Sequence, residues 1–118
     1  MKVIMFQYLN KTRFWGVYKN MISRCTNERH PNYKYYGGRG IKVSREWQQY
    51  SNFEMDMYEE YGYWLENNYD KVRNTDLTLD RIDNNGNYCK ENCRWITQHE
   101  QYKTRRNNGR RKLQTLIA

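Results

Sequence analysis

Apolar residues return at helical spacing in two stretches of the chain. Phe14, Tyr18, Met21, Ile22 and Cys25 fall on one face of a predicted helix over residues 12–25, with Lys11, Arg13, Lys19 and Arg24 spread over the remainder. Trp47, Tyr50, Phe53, Met57 and Tyr61 repeat the pattern in a second helix. Ser44 is its expected cap, with Trp47 at the third helical position. Glu54, Asp56, Glu59 and Glu60 supply its wet or partner-facing side. Residues 26–40, with Pro31 and three glycines, read as a loop leading to a short strand, Ile41-Lys42-Val43.

Residues 62–76 lose this periodicity and read as irregular. Leu77, Leu79 and Ile82, with Arg81, then form an extended run. Asn84-Asn85-Gly86-Asn87 is a turn signal, because Asn and Gly tolerate positive φ. Arg94-Trp95-Ile96 is the returning strand. Thr97 caps a helix, and Glu100 three residues later completes a capping box. Residues 77–106 are therefore a hairpin running into a basic helix, followed by a basic tail over about residues 103–112. Leu113 to Ala118 read as a fraying or short packed end. There is no internal repeat.

With 118 residues the chain is predicted to be a single small α+β domain. Only 37% of residues are hydrophobic and the mean hydropathy is -1.26, a polarity usually associated with disorder. The 12 Tyr, 4 Trp and 3 Phe argue the other way, since aromatics build a core from few residues. The formal net charge is +8 and the pI about 9.5. Acidic residues concentrate in 51–80, while the first fifty residues and the tail after Glu100 are basic. A basic surface attracts polyanions, so DNA, RNA or a nucleic-acid-loaded protein is the expected partner. No apolar run reaches membrane-spanning length. The start, MKVIMFQYLN, lacks a signal-peptide core, so an intracellular location with no membrane partner is expected.

Three cysteines in an intracellular chain are not expected to form stable disulfides. Cys89 and Cys93 are spaced C-x-x-x-C on the hairpin connection, Cys25 ends the first helix, and His30 follows it. Three thiolates and an imidazole make a tetrahedral structural zinc site that would staple the two halves of the chain. His99 is an alternative fourth ligand. Three buried free thiols acting as small hydrophobes are the other reading. Gly37-Gly38-Arg39-Gly40 could bring backbone close to a phosphate, but it lacks P-loop or dinucleotide spacing and reads as a tight turn.

The hairpin–helix segment resembles the HNH (ββα-metal) family, in the form common among small phage and mobile-element proteins. That family's first strand ends in Asp-His, and here the pair is Asp80-Arg81. Its central Asn, which pins the loop between the strands, matches Asn92. Its third position, a His or Asn on the helix, falls on or near Gln101. Tyr36-Gly37-Gly38-Arg39-Gly40-Ile41 resembles a block that a phage subgroup carries upstream of the hairpin. The resemblance covers most of residues 12–108. It implies helices packed around a ββα unit that holds a metal against a scissile phosphate.

Arg81 is a severe departure from that chemistry. A guanidinium stays protonated and offers no acceptor, so it cannot serve as the general base. Gln101 brings only an amide oxygen. The resemblance therefore implies a catalytically degenerate, nucleic-acid-binding protein with no catalytic residue. Arg39, Arg81, Arg94, Lys103, Arg105 and Arg106 would contact phosphate. Two alternatives stay open. One is a metal-dependent nicking endonuclease using Asp80, Asp83 or His99. The other is a phage counter-defence inhibitor of the anti-CRISPR type, acting in the host cytoplasm. It would bind a host RNA-guided nuclease and block DNA loading, its acidic residues 54–60 suiting a basic channel and its basic tail the guide RNA.

Overall fold

A computed structural model describes residues 2–68 and 77–103, with side chains from residue 9 onward. The first helix, α1, spans Lys2–Thr26, ten residues longer at its start than the periodicity predicts. No Gly or Pro interrupts residues 2–11, so nothing in the local chemistry stops the helix there. Its predicted apolar face is buried: Phe14, Tyr18, Met21 and Cys25. At its end the Thr26 hydroxyl donates back to the Ile22 carbonyl at 2.7 Å.

The expected second helix starts later and runs further. The Ser44 hydroxyl does accept the Trp47 N–H, at 3.3 Å. The turn it begins is only the short 3-10 turn Glu46–Gln48, which Gln49 ends with extended backbone at ψ 125°. The helix proper, α2, is Tyr50–Asn68. Residues 62–68, expected to be irregular, continue it because Leu65 extends the buried Phe53, Met57 and Tyr61 line by one more turn. Residues 69–76 lie outside the described residues. So do Arg105, Arg106, the tail beyond Lys103, and the segment from Leu113 to Ala118.

Strands β1 (Leu77–Arg81) and β2 (Cys93–Thr97) form a two-stranded antiparallel sheet. Its register pairs Leu79 with Trp95, Asp80 with Arg94 and Arg81 with Cys93. Residues 98–103, α3, are helical, and the Thr97 hydroxyl accepts the Glu100 N–H at 3.1 Å as a cap. Ile41-Lys42-Val43 does not become a strand. Only Val43 bridges, in parallel, to Tyr88. The architecture is α+β, and none of the described helices is long and apolar enough to cross a membrane.

Aromatic rings hold these elements together. Phe14 lies at the centre, with Phe53 at 5.0 Å, Tyr58 at 5.1 Å, Tyr61 at 5.4 Å and Trp95 at 5.9 Å between centroids. Each such pair contributes about 0.5–1.5 kcal/mol beyond its burial. The buried polar tips are satisfied. Tyr18 donates to the Trp47 carbonyl at 2.7 Å, and the Trp47 indole donates to Asp56 at 2.9 Å. The Trp95 indole donates to the Met57 carbonyl at 2.8 Å, which ties β2 to the middle of α2. Asp56 and Glu54, expected on the wet side of α2, are half-buried, and Glu54 accepts the Tyr50 hydroxyl. Glu59 and Glu60 are exposed as expected.

Burial pushes the Tyr61 hydroxyl up to about 12 and raises that of Tyr88 as well. Both lose their protons near 10 in the unfolded chain. Their contribution to stability is therefore complete below pH 10 and is lost as pH climbs through the folded values. Tyr61 alone accounts for something on the order of 2 kcal/mol. Urea unfolding is expected to show a fall in stability that begins at about pH 8.5 with the unfolded thiols and steepens above about 10 with the phenols. Tyr61→Phe should flatten that fall, and an unchanged alkaline slope in this variant would refute the assignment.

Candidate functional site

The connection between β1 and β2, residues 82–92, is built on one side chain. The Asn92 Oδ1 accepts the Asp83 N–H at 2.8 Å. Its Nδ2 donates to the carbonyls of Asn87 at 2.9 Å and Asp83 at 3.1 Å. The Ile82 N–H also donates to the Asn92 carbonyl, at 2.8 Å. The turn forms without positive φ: among the described residues only Gly40 has it, at 87°. Gly86 is needed for room instead, since a Cβ there would stand 2.7 Å from Asn92 Nδ2. Asp83 braces the turn by accepting the Asn85 N–H at 2.9 Å. Arg39 reaches it from the preceding loop, donating to Asn85 at 2.7 Å and to the Tyr35 carbonyl at 3.2 Å.

Asp80 projects from β1 into a small cavity of about 150 Å³, which Arg81, Asp83, Arg94, Gln101, Tyr36 and Tyr88 also line. Its two carboxylate oxygens are both occupied. Oδ2 pairs with Arg94 Nε at 3.0 Å, as the cross-strand register dictates, and Oδ1 accepts from Gln101 Nε2 at 3.3 Å. The positive charge beside this carboxylate is thus a guanidinium supplied by the chain itself. Asp80 and Asp83 line this cavity together, while the exposed His99 is not among its lining residues.

Arg81, one of the expected phosphate contacts, is turned inward. It is only 8% exposed. Its Nη1 donates to the carbonyls of Gly86 at 2.7 Å and Asn84 at 2.8 Å. Its guanidinium stands 5.1 Å from the Tyr88 ring and 5.2 Å from the Tyr36 ring. Arg24 from α1 joins the same rings at 4.6 Å from Tyr36 and 5.2 Å from Tyr88. A buried cation needs such partners, and here carbonyl dipoles and π faces replace a carboxylate. Of the other expected phosphate contacts, Arg39 and Lys103 are exposed and Arg94 is half-exposed.

Among the described residues, no three His, Cys, Asp or Glu side chains gather as a group able to hold a metal ion. Cys25 and Cys93 are buried and Cys89 half-buried. Burial raises the Cys25 thiol and pushes that of Cys93 up to about 12. The positive charge of Arg81 opposes both shifts, so a guanidinium already stands near both thiols. His30 has both ring nitrogens engaged: Nδ1 accepts the Asn32 N–H at 3.0 Å, and Nε2 bonds Asn20 Oδ1 at 2.9 Å.

Sequence reasoning missed Arg24, Tyr36 and Tyr88 as a unit with Arg81. Arg24 directly precedes the buried Cys25, a position at the edge of the helix's apolar face, but no local spacing announces its ring partners. No family model, curated protein or solved structure matches this chain.

Two outcomes follow from this geometry. Asn92→Ala removes three side-chain hydrogen bonds and should cost roughly 2–4 kcal/mol in urea unfolding, at about 1 kcal/mol per bond. A loss below about 0.5 kcal/mol would show that the loop does not depend on that side chain. In thiol labelling of the native chain, Cys89 should react well before Cys25 and Cys93, because a buried protonated thiol is a poor nucleophile. Repeating the labelling with zinc tests the four-ligand site: protection of all three thiols would show that it assembles, and an unchanged order would sink it.

Proposed function

We propose that this chain is a catalytically silent HNH-like protein that binds nucleic acid through its basic surface. The observation that carries this reading is the arrangement around Asp80. Its carboxylate lies between Arg94 and Gln101, on a strand–turn–strand–helix unit whose connection is pinned by Asn92. Metal-assisted hydrolysis needs a carboxylate whose charge is not already paired with a cation of the chain, and a group that accepts a proton. Here both carboxylate oxygens have partners, and the neighbouring residue is a buried guanidinium. A net charge of +8 still favours a polyanion. Arg39 at the turn, Arg94 on β2 and Lys103 on α3 are among the described basic side chains that solvent reaches, and phosphate contacts of this type position without reading sequence.

The test pairs cleavage with binding. Supercoiled plasmid is expected to stay intact with magnesium, manganese or zinc. Binding to duplex should be steep in salt, falling about a hundredfold between 50 and 200 mM salt for roughly four phosphate contacts. Arg39→Gln and Lys103→Gln should each weaken binding to all sequences and reduce the salt slope by about one. Metal-dependent cleavage abolished by Asp80→Ala would overturn the silent-site reading. Affinity indifferent to salt would overturn the phosphate contacts and favour a protein partner, such as a host nuclease.

A further inference from the structure

Between α1 and β1 lies a second, larger cavity of about 420 Å³, walled by Arg13, Gly16, Asn20 and Arg24 of α1 and by Leu77 and Leu79 of β1. Its size is within the range of small-ligand sites. Its lining holds two arginines and no carboxylate. Arg13 makes no ion pair with any described carboxylate. The Arg24 guanidinium stands 4.6 Å from the centre of the Tyr36 ring, and its Nε is buried with no hydrogen-bond partner. Buried donors are normally satisfied, so this one points to a missing acceptor. Asn20 uses its carbonyl oxygen on His30, which leaves its amide N–H groups as further donors.

Gly16 is an independent sign. A glycine inside a helix weakens it relative to alanine. Gly16 lies in the interior of α1, yet a Cβ there would meet nothing within 4 Å. Among the described residues no packing contact requires the glycine, and it lines the cavity. Its effect is to keep that space open.

We propose that this cavity binds an organic phosphate of nucleotide size, with the phosphate on Arg13 and Arg24 and the body of the molecule between Gly16 and the Leu77–Leu79 strand. Guanidinium forks match phosphate oxygens in geometry and charge, and the leucines offer a dry wall to a flat ring. A free nucleoside monophosphate and the phosphorylated 5′ end of a strand share this chemistry. The proposal does not rest on the nucleic-acid reading above, because duplex contacts at Arg39 and Lys103 can fail or hold separately.

Calorimetric titration of the full chain with adenosine and uridine monophosphates tests it, with adenosine, uridine and inorganic phosphate as comparisons. The monophosphates should bind, and the nucleosides should bind at least about tenfold more weakly, as expected when a charged hydrogen-bonding group is removed. Arg13→Gln, at an exposed position, should weaken monophosphate binding about tenfold, with Arg13→Lys recovering part of the loss. Gly16→Leu should fill the cavity, remove binding, and leave the melting temperature equal to wild type or higher. Competition by a 5′-phosphorylated oligonucleotide, but not by its 5′-hydroxyl form, would identify a strand end as the source. Competition by neither would identify the free nucleotide. No binding by either monophosphate, or binding unmoved by both Arg13→Gln and Gly16→Leu, overturns the proposal.

Discussion

The burial of the Arg81 guanidinium is the constraint on which the rest of the hairpin depends. A charge taken out of water must be compensated by dipoles, π faces or an opposite charge. Arg81 has no carboxylate among its partners. It recruits two carbonyls of the 82–92 connection and two tyrosine rings, and Arg24 shares those rings from α1. The turn is therefore shaped to serve the arginine as much as to join the strands. The same contacts link α1, the loop around Tyr36, β1 and the connection through Tyr88 in a single cluster. Replacing that side chain with a smaller one would leave the Asn84 and Gly86 carbonyls without their donor and the two rings with Arg24 alone.

Around this cluster, rigidity comes from polar bonds made inside an aromatic core. The Trp95 indole reaches the Met57 carbonyl while its ring packs against Tyr61 and Phe14. The sheet thus cannot shift along α2 without losing a buried hydrogen bond. Asn92 does the equivalent work at the other end of the hairpin. Asp80 is consequently held between two fixed elements, β2 through Arg94 and α3 through Gln101. An ion pair that is largely buried on the carboxylate side and half-exposed on the arginine side neutralises the strand end without needing any bound cation.

The core of the fold was legible in the chain because it follows from periodicity. The faces Phe14–Tyr18–Met21–Cys25 and Phe53–Met57–Tyr61 are buried as spacing requires, and Thr97 caps the helix that follows β2. Element ends were less legible. Spacing alone did not show that α1 begins at Lys2, where a continuous apolar run carries no helical period, or that α2 continues to Asn68 through a Tyr- and Asn-rich turn. Val43 makes a single bridge rather than a strand because its only sheet-like neighbour is Tyr88.

The candidate site divides the same way. The sequence by itself determined that an arginine follows Asp80, that an asparagine stands at position 92, and that positive charge is in excess. These are local identities that no packing can alter. Tertiary structure decided what each side chain does with its charge. Arg81 turned inward to the tyrosines, Arg94 closed on Asp80, His30 bonded Asn20 and Asn32, and Arg13 and Arg24 came to face a cavity without a carboxylate. Those assignments depend on residues dozens of positions apart meeting in space, and chemical type alone does not specify which partner a cation or an imidazole will find.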